Sequence, residues 1–226
     1  MERVSQAEPH RIPHGDVPEG MSDDARETWP SHDLIESWLG DSMYDFQFRP
    51  GEDTFVDADD PEAVAAARQF RDVLGRFASG VTVVTAISGG APVGLTCQSF
   101  SSVSLNPPLV LFVPAKTSRA WPSIQRSGKF CVNFLAADQA ELSNQMASRG
   151  VDKFSGVSWE AAPATGSPMI EGTLGYVDCQ IHQVHEAGDH YVVVGRVLDL
   201  GISPDVGGDA EQPLLFFQGK YASTDS

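Results

Sequence analysis

Basic residues and cysteines are scarce in this sequence. Its 226 residues hold 15 Lys+Arg against 31 Asp+Glu, a formal net charge of -16. That excludes the basic face which nucleic acids and anionic membranes require. Only 3 cysteines occur, Cys97, Cys131 and Cys179. With no CxxC pair among them, they read as small core residues of a reducing compartment rather than a disulfide framework. No apolar run is long enough to span a bilayer, and the opening stretch MERVSQAEPHRIPHGD lacks the basic start and apolar centre of a signal peptide. A cytoplasmic protein is expected. GxGxxG, GxxxxGK[ST] and GxSxG are all missing, which withdraws sequence support from dinucleotide-binding Rossmann, P-loop and α/β-hydrolase readings.

The acidity is unevenly spread. Residues 1–60 carry 16 acids against 4 bases, leaving a net charge of only -4 for residues 61–226. Apolar residues in the first segment are isolated, so it cannot bury enough surface to offset its ordering entropy, and an acidic, largely disordered extension is expected over 1–60. Ser31–Leu39 is its one amphipathic stretch, with Leu34, Ile35, Trp38 and Leu39 on one stripe. It is either part of a tail or an arm that docks on a partner or a second subunit.

At Asp60 the pattern changes. An acid at the cap, Pro61 at the first helical position and Glu62 in the first turn open a helix. Phe70, Val73, Leu74 and Phe77 repeat at helical spacing, and Gly80 is expected to close it. From there the pattern is mainly strand: Val81–Ile87, a turn at Gly89-Gly90, Pro92–Phe100, Ser101–Leu105, Leu109–Val113, Phe130–Phe134, Leu174–Val184, His190–Leu200 and Leu214–Phe217. Short helices are expected near Thr117-Ser118 and from an Asp138/Glu141 capping box to about Met146. Short strands without a βαβ rhythm predict a mainly β domain, a small barrel with a few short helices, over residues 61–226.

Three stretches carry chemistry. Gly94-Leu95-Thr96-Cys97-Gln98-Ser99-Phe100-Ser101-Ser102 is dense in hydroxyl and amide groups, and serves either as a polar strand face or as a set of donors and acceptors for a planar polar ligand. Lys116-Thr117-Ser118-Arg119 places hydroxyls and positive charge at an expected helix start, which suits a phosphate or an ordinary cap. Only 4 lysines exist in the chain, which makes Lys116 conspicuous. His190, in Gly188-Asp189-His190 at a strand mouth, is either a turn residue or reachable by a ligand on the barrel rim. Cys179, His182 and His185 lie close in sequence, but strand alternation turns His182 away from the other two, so no metal is expected without a bulge.

These stretches, in order, resemble a known family. FRDVLGRFASGVTVVT (70–85), GLTCQSF (94–100), NPPL (106–109), KTSRAW (116–121), DKF (152–154), GDH (188–190) and GKY (219–221) are similar to the flavin reductase components of two-component flavin-dependent monooxygenases. The resemblance covers about residues 65–222. It implies an FMN-binding split β-barrel of Greek-key type, a homodimer, and hydride transfer from NADH, or NADPH, to FAD or FMN. A separate monooxygenase, of the aromatic hydroxylase type, would receive the reduced flavin by diffusion. It also implies site roles. Gly94, Leu95, Thr96, Cys97, Gln98, Ser99 and Phe100 would line the flavin, with Ser99 toward the phosphate. Lys116, Thr117 and Ser118 would complete the phosphate site, with Trp121 as a wall. Lys153, Phe154, His190 and Tyr221 would border the nicotinamide, His190 in a positioning and electrostatic role. The alternatives are a split barrel that holds its flavin tightly, as an oxidoreductase on an organic substrate or as a non-catalytic module.

Overall fold

The computed structural model describes residue 56 and residues 59–148, 152–203 and 212–224. The acidic extension and its expected helix Ser31–Leu39 lie outside these, apart from Val56, Asp59 and Asp60.

Helix α1 spans Pro61–Leu74. The Asp60 carboxylate accepts from the backbone N–H of Glu62 at 2.9 Å and of Ala63 at 3.2 Å, as its position before Pro61 leads one to expect. The helix ends earlier than Gly80. Gly75 takes its last turn, donating to Arg71 O at 2.8 Å, while Gly75 O accepts from Gln218 N at 2.8 Å and draws the chain into a sheet. Ser79–Gly80 then form strand β1. The apolar stripe of α1 is not core: Phe70 is 65% exposed and Phe77, just beyond the helix, 81%.

The remaining strands are β2 (Thr82–Ser88), β3 (Ala91–Cys97), β4 (Ser101–Leu105), β5 (Pro108–Phe112), β6 (Lys129–Phe134), β7 (Trp159–Ala161), β8 (Pro168–Ile170), β9 (Gly175–Ala187), β10 (His190–Ile202), β11 (Leu215–Phe217) and β12 (Lys220–Ala222). Two short helices, α2 (Trp121–Ser127) and α3 (Ala140–Ala147), interrupt them. Seven strands form one antiparallel sheet in the order β3-β2-β6-β9-β10-β5-β4. Its two edges, β3 and β4, are consecutive in sequence and joined only by Gln98–Phe100. So short a link forces the sheet to curl until its edges approach, without pairing; this is a split barrel with Greek-key connections. A smaller sheet, β1-β11-β12, and the hairpin β7-β8 flank it.

The β-branched run beginning at Val81 is the centre of the core. Val83 and Val84 have no exposed surface, and burying each contributes about 1.5–3 kcal/mol. Phe112 packs edge-on to Phe130 at 5.0 Å and to Trp121 at 5.8 Å between ring centroids. Several buried polar groups act as clamps. Asn133 donates to Val83 O at 3.1 Å and accepts from Ile170 N at 2.8 Å, tying β8 to the barrel. Asp178 accepts from the N–H groups of Ala164 and Thr165, each at 2.9 Å, and fixes the β7–β8 loop.

Two local expectations change. The capping box at Asp138 and Glu141 does not form; Gln139 precedes α3, and its side-chain oxygen accepts from Ala136 N at 3.0 Å instead. Strand β9 does bulge at His182, where the register with β10 slips between Val194 and Gly195. Cys179 is nevertheless buried and His185 exposed. Among the described residues no three His, Cys, Asp or Glu side chains are grouped to hold a metal ion.

Candidate active site

A cavity of about 1090 Å³ opens along the edge strand β3. Edge position is what makes it available: one side of β3 pairs with β2, and the other is free to face a ligand. Gly94, Leu95, Thr96 and Cys97 form its floor, continued by Gln98 and Ser99. The loop 113–120, the C-terminal turn of α3, residues 152–154, His190 and the small-sheet residues Phe216 and Tyr221 make the walls.

Close packing sets the depth of the floor. A Cβ on Gly94 would lie 3.2 Å from Met146 Sδ and 3.4 Å from Phe154 Cζ, so even one added methyl would press α3 and the Phe154 ring by a few tenths of an ångström. Thr96 Oγ1 donates to Ser143 O at 2.6 Å, fastening α3 to the strand. Ser99 Oγ bridges to Val113, accepting from its N–H at 3.0 Å and donating to its C=O at 3.1 Å. Both hydroxyls thus shape the cavity as well as line it. Tyr221 Oη donates to Asn144 Oδ1 at 2.8 Å and lies 2.9 Å from Ser143 Oγ.

Charge is placed at both ends. Beyond Ser99, Thr117, Ser118 and Arg119 line the wall. Toward Gly94, Lys153 Nζ donates to Gly94 O at 3.0 Å and to Met146 O at 2.5 Å. Burial holds the Lys153 ammonium below the usual lysine range. On the rim, His190 Nδ1 sits 2.7 Å from Asp189 Oδ1, leaving Nε2 for a ligand.

Of the residues that sequence brings forward, Gly94, Leu95, Thr96, Cys97, Gln98, Ser99, Thr117, Ser118, Lys153, Phe154, His190 and Tyr221 share this cavity. Three do not line it. Lys116 turns away to an ion pair with Glu186 at 2.9 Å, its ammonium 5.5 Å from the centre of the Tyr191 ring. Trp121 is 1% exposed and belongs to the core. Phe100 packs on Phe134 with ring centroids 5.3 Å apart. The helix expected at Thr117-Ser118 begins instead at Trp121, whose N–H donates to Ser118 Oγ at 3.3 Å. Helix-end amides therefore do not explain an anion here; the hydroxyls and Arg119 remain. Sequence reasoning missed Asn144, Met146, Ser148 and Phe216. They arrive through the packing of α3 and the small sheet, which leaves no local pattern.

The cleft sets hydroxyl and amide donors and two cations along a barrel edge, an arrangement suited to an extended polar molecule. The family model described as flavin reductase like domain matches residues 74–225. The reductase subunit HsaB of a flavin-dependent monooxygenase from Rhodococcus jostii (strain RHA1) is 50% identical over 154 residues, 68% of this chain and 76% of that protein. Among solved structures, nitrilotriacetate monooxygenase component B from Mycobacterium thermoresistibile is 46% identical, covers 72% of this chain and 88% of its own, and superposes with a TM-score of 0.68. The NADH:FAD oxidoreductase SgcE6 of Streptomyces globisporus C-1027, solved with NAD and FAD fragments, is 35% identical over 74% of this chain and 94% of its own, with a TM-score of 0.63. The chain belongs to the flavin reductase like family.

Proposed function

We propose that the cavity on β3 binds FAD or FMN together with the nicotinamide of NADH, and that the reduced flavin leaves for a separate flavin-dependent monooxygenase. The observation that carries this reading is the cavity itself. At about 1090 Å³ it lies just above the range of about 300–1,000 Å³ that suits one drug-sized ligand, a volume in keeping with a flavin and a nicotinamide together.

The residues fit a flavin. Leu95 and the Gly94–Phe154 contact give an apolar bed for a flat ring, and Thr117, Ser118 and Arg119 supply donors and charge for a phosphate. With both molecules bound, the chemistry supplied would be hydride transfer from nicotinamide C4 to flavin N5, giving NAD+ and anionic reduced flavin. The chain's part is placement. β3 holds one ring, while Phe154, Tyr221 and the Nε2 side of His190 bound the space for the other. No buried nucleophile or base is required, which agrees with the missing hydrolase and phosphoryl-transfer motifs.

The chain acts as a homodimer in the cytoplasm, with residues 1–60 as an acidic extension. The support for a dimer is the uncovered apolar stripe of α1, together with Leu105 and Ile202, 92% and 82% exposed. No helix among the described residues is long and apolar enough to cross a membrane.

Anaerobic mixing of the protein with NADH and either FAD or FMN tests the reading. Catalytic bleaching of added flavin is expected, and the faster flavin is the substrate. Flavin that binds but stays oxidised, or that survives gel filtration, overturns the carrier role.

A further inference from the structure

Lys153 is a half-buried cation of the cavity that makes no ion pair among the described residues. Its two hydrogen-bond acceptors among the described residues are the carbonyls of Gly94 and Met146. An ammonium has three donors, so one remains for a ligand. Lys116, by contrast, is ion-paired to Glu186. Asp152 is the one carboxylate among the described residues that line the cavity, and its oxygen accepts from Phe154 N at 3.0 Å. A half-buried charge held by carbonyls alone is costly in the absence of a ligand, and burial already depresses the Lys153 ammonium. Such a group is favourable once negative charge arrives beside it.

The place of Lys153 decides which negative charge that is. It is fixed to Gly94, at the opposite end of the floor from Ser99 and the hydroxyl wall where Arg119 stands. Three residues of extended strand, about 10 Å, separate Gly94 from Cys97 alone. The Gly94 end and the Ser99 end of the cavity therefore offer a ligand two separate cations, Lys153 and Arg119. At the ring end, oxidised flavin is neutral and reduced flavin is anionic.

Building on the flavin reductase reading, we propose that Lys153 is the specificity-determining cation of the ring end, which makes the site bind the reduced, anionic flavin ring more tightly than the oxidised, neutral one. Its attachment to two backbone carbonyls fixes it beforehand, so no reorganisation is needed when the charge appears.

The test uses the full-length protein, with oxidised FMN and dithionite-reduced FMN titrated anaerobically, and riboflavin as a probe without phosphate. Lys153→Gln keeps an amide donor for a carbonyl and loses the charge; Lys153→Arg keeps the charge. In Lys153→Gln the affinity for reduced FMN is expected to fall about tenfold more than that for oxidised FMN. The midpoint potential of the bound flavin then drops by about 30 mV. Riboflavin should show the same change, and Lys153→Arg should retain the wild-type ratio. Equal weakening of both redox forms overturns the proposal, as does a loss confined to KM for NADH, which would place Lys153 beside the diphosphate of NADH. Should Lys153→Gln fail to fold, the wild-type protein still decides. A bound-flavin potential at or below that of free flavin overturns the assignment. Absence of any flavin binding in the wild type would instead remove the functional reading beneath it.

Discussion

The ring of Phe154 occupies the space that a side chain on Gly94 would need, with Cζ 3.4 Å from where a Cβ would stand. The missing atom and the ring together set the depth of the cavity floor. Gly94→Val adds two further methyls to that contact and drives Phe154 toward the ligand. Flavin affinity is expected to fall at least about tenfold, while stability drops by about 1–3 kcal/mol. Flavin titration beside a denaturant melt measures both, and unchanged affinity would show that the ring does not bound the flavin.

His190 is anchored by Asp189 at 2.7 Å and by pairing of its strand end with Ala115. His190→Ala should lower kcat/KM for NADH about tenfold or more, with the Kd for oxidised flavin little changed. Steady-state kinetics with NADH varied is the check. Unchanged kcat and unchanged KM for the nicotinamide would remove His190 from the site.

Gly195 carries no ligand, yet tolerates no side chain. A Cβ there would lie 2.4 Å from Phe130 Cζ and 3.3 Å from Cys179 Cβ. Gly195→Ala is expected to cost about 3 kcal/mol of stability. Adding Phe130→Leu should restore part of that loss, and a double-mutant cycle on thermal or urea unfolding gives the coupling.

Asp178 links stability to pH. Its burial pushes the carboxyl above the usual aspartate range, although the donors at Ala164 and Thr165 pull it back. The folded state therefore holds this proton more tightly than the unfolded chain. The contribution is greatest below the unfolded value of about 4 and is lost as pH rises through the folded value. Asp178→Asn should flatten the stability profile above about pH 4. Asp178→Ala, which strands the loop amides, should cost about 3 kcal/mol. Urea melts across that pH range report both.

Much of the architecture was legible locally. Asp60-Pro61-Glu62 starts α1 because a cap acid and a pre-set φ act within one turn. The β-branched run to Ile87, the Gly89-Gly90 turn and the polar strand from Gly94 sit where alternation and turn chemistry put them. The less legible features depend on distant chain. Gly75 rather than Gly80 ends α1 because Gln218, far along the sequence, takes its carbonyl. The α1 stripe has core spacing but lies exposed, since periodicity tells which face is apolar and not what covers it.

For the site, sequence alone determined that a hydroxyl-rich strand, a Thr-Ser-Arg turn and a strand-mouth histidine exist, and that their order matches one family. Tertiary structure decided which of them face one cavity. Lys116 and Lys153 are indistinguishable as scarce lysines in loops, yet one is neutralised by Glu186 and the other fixed beside Gly94. Trp121 looks like a wall and is core. The reason is physical: local sequence encodes which way a side chain leaves its own element. The element opposite is set by sheet register and by the Gln98–Phe100 link that curls the barrel, and both depend on contacts between residues far apart in the chain.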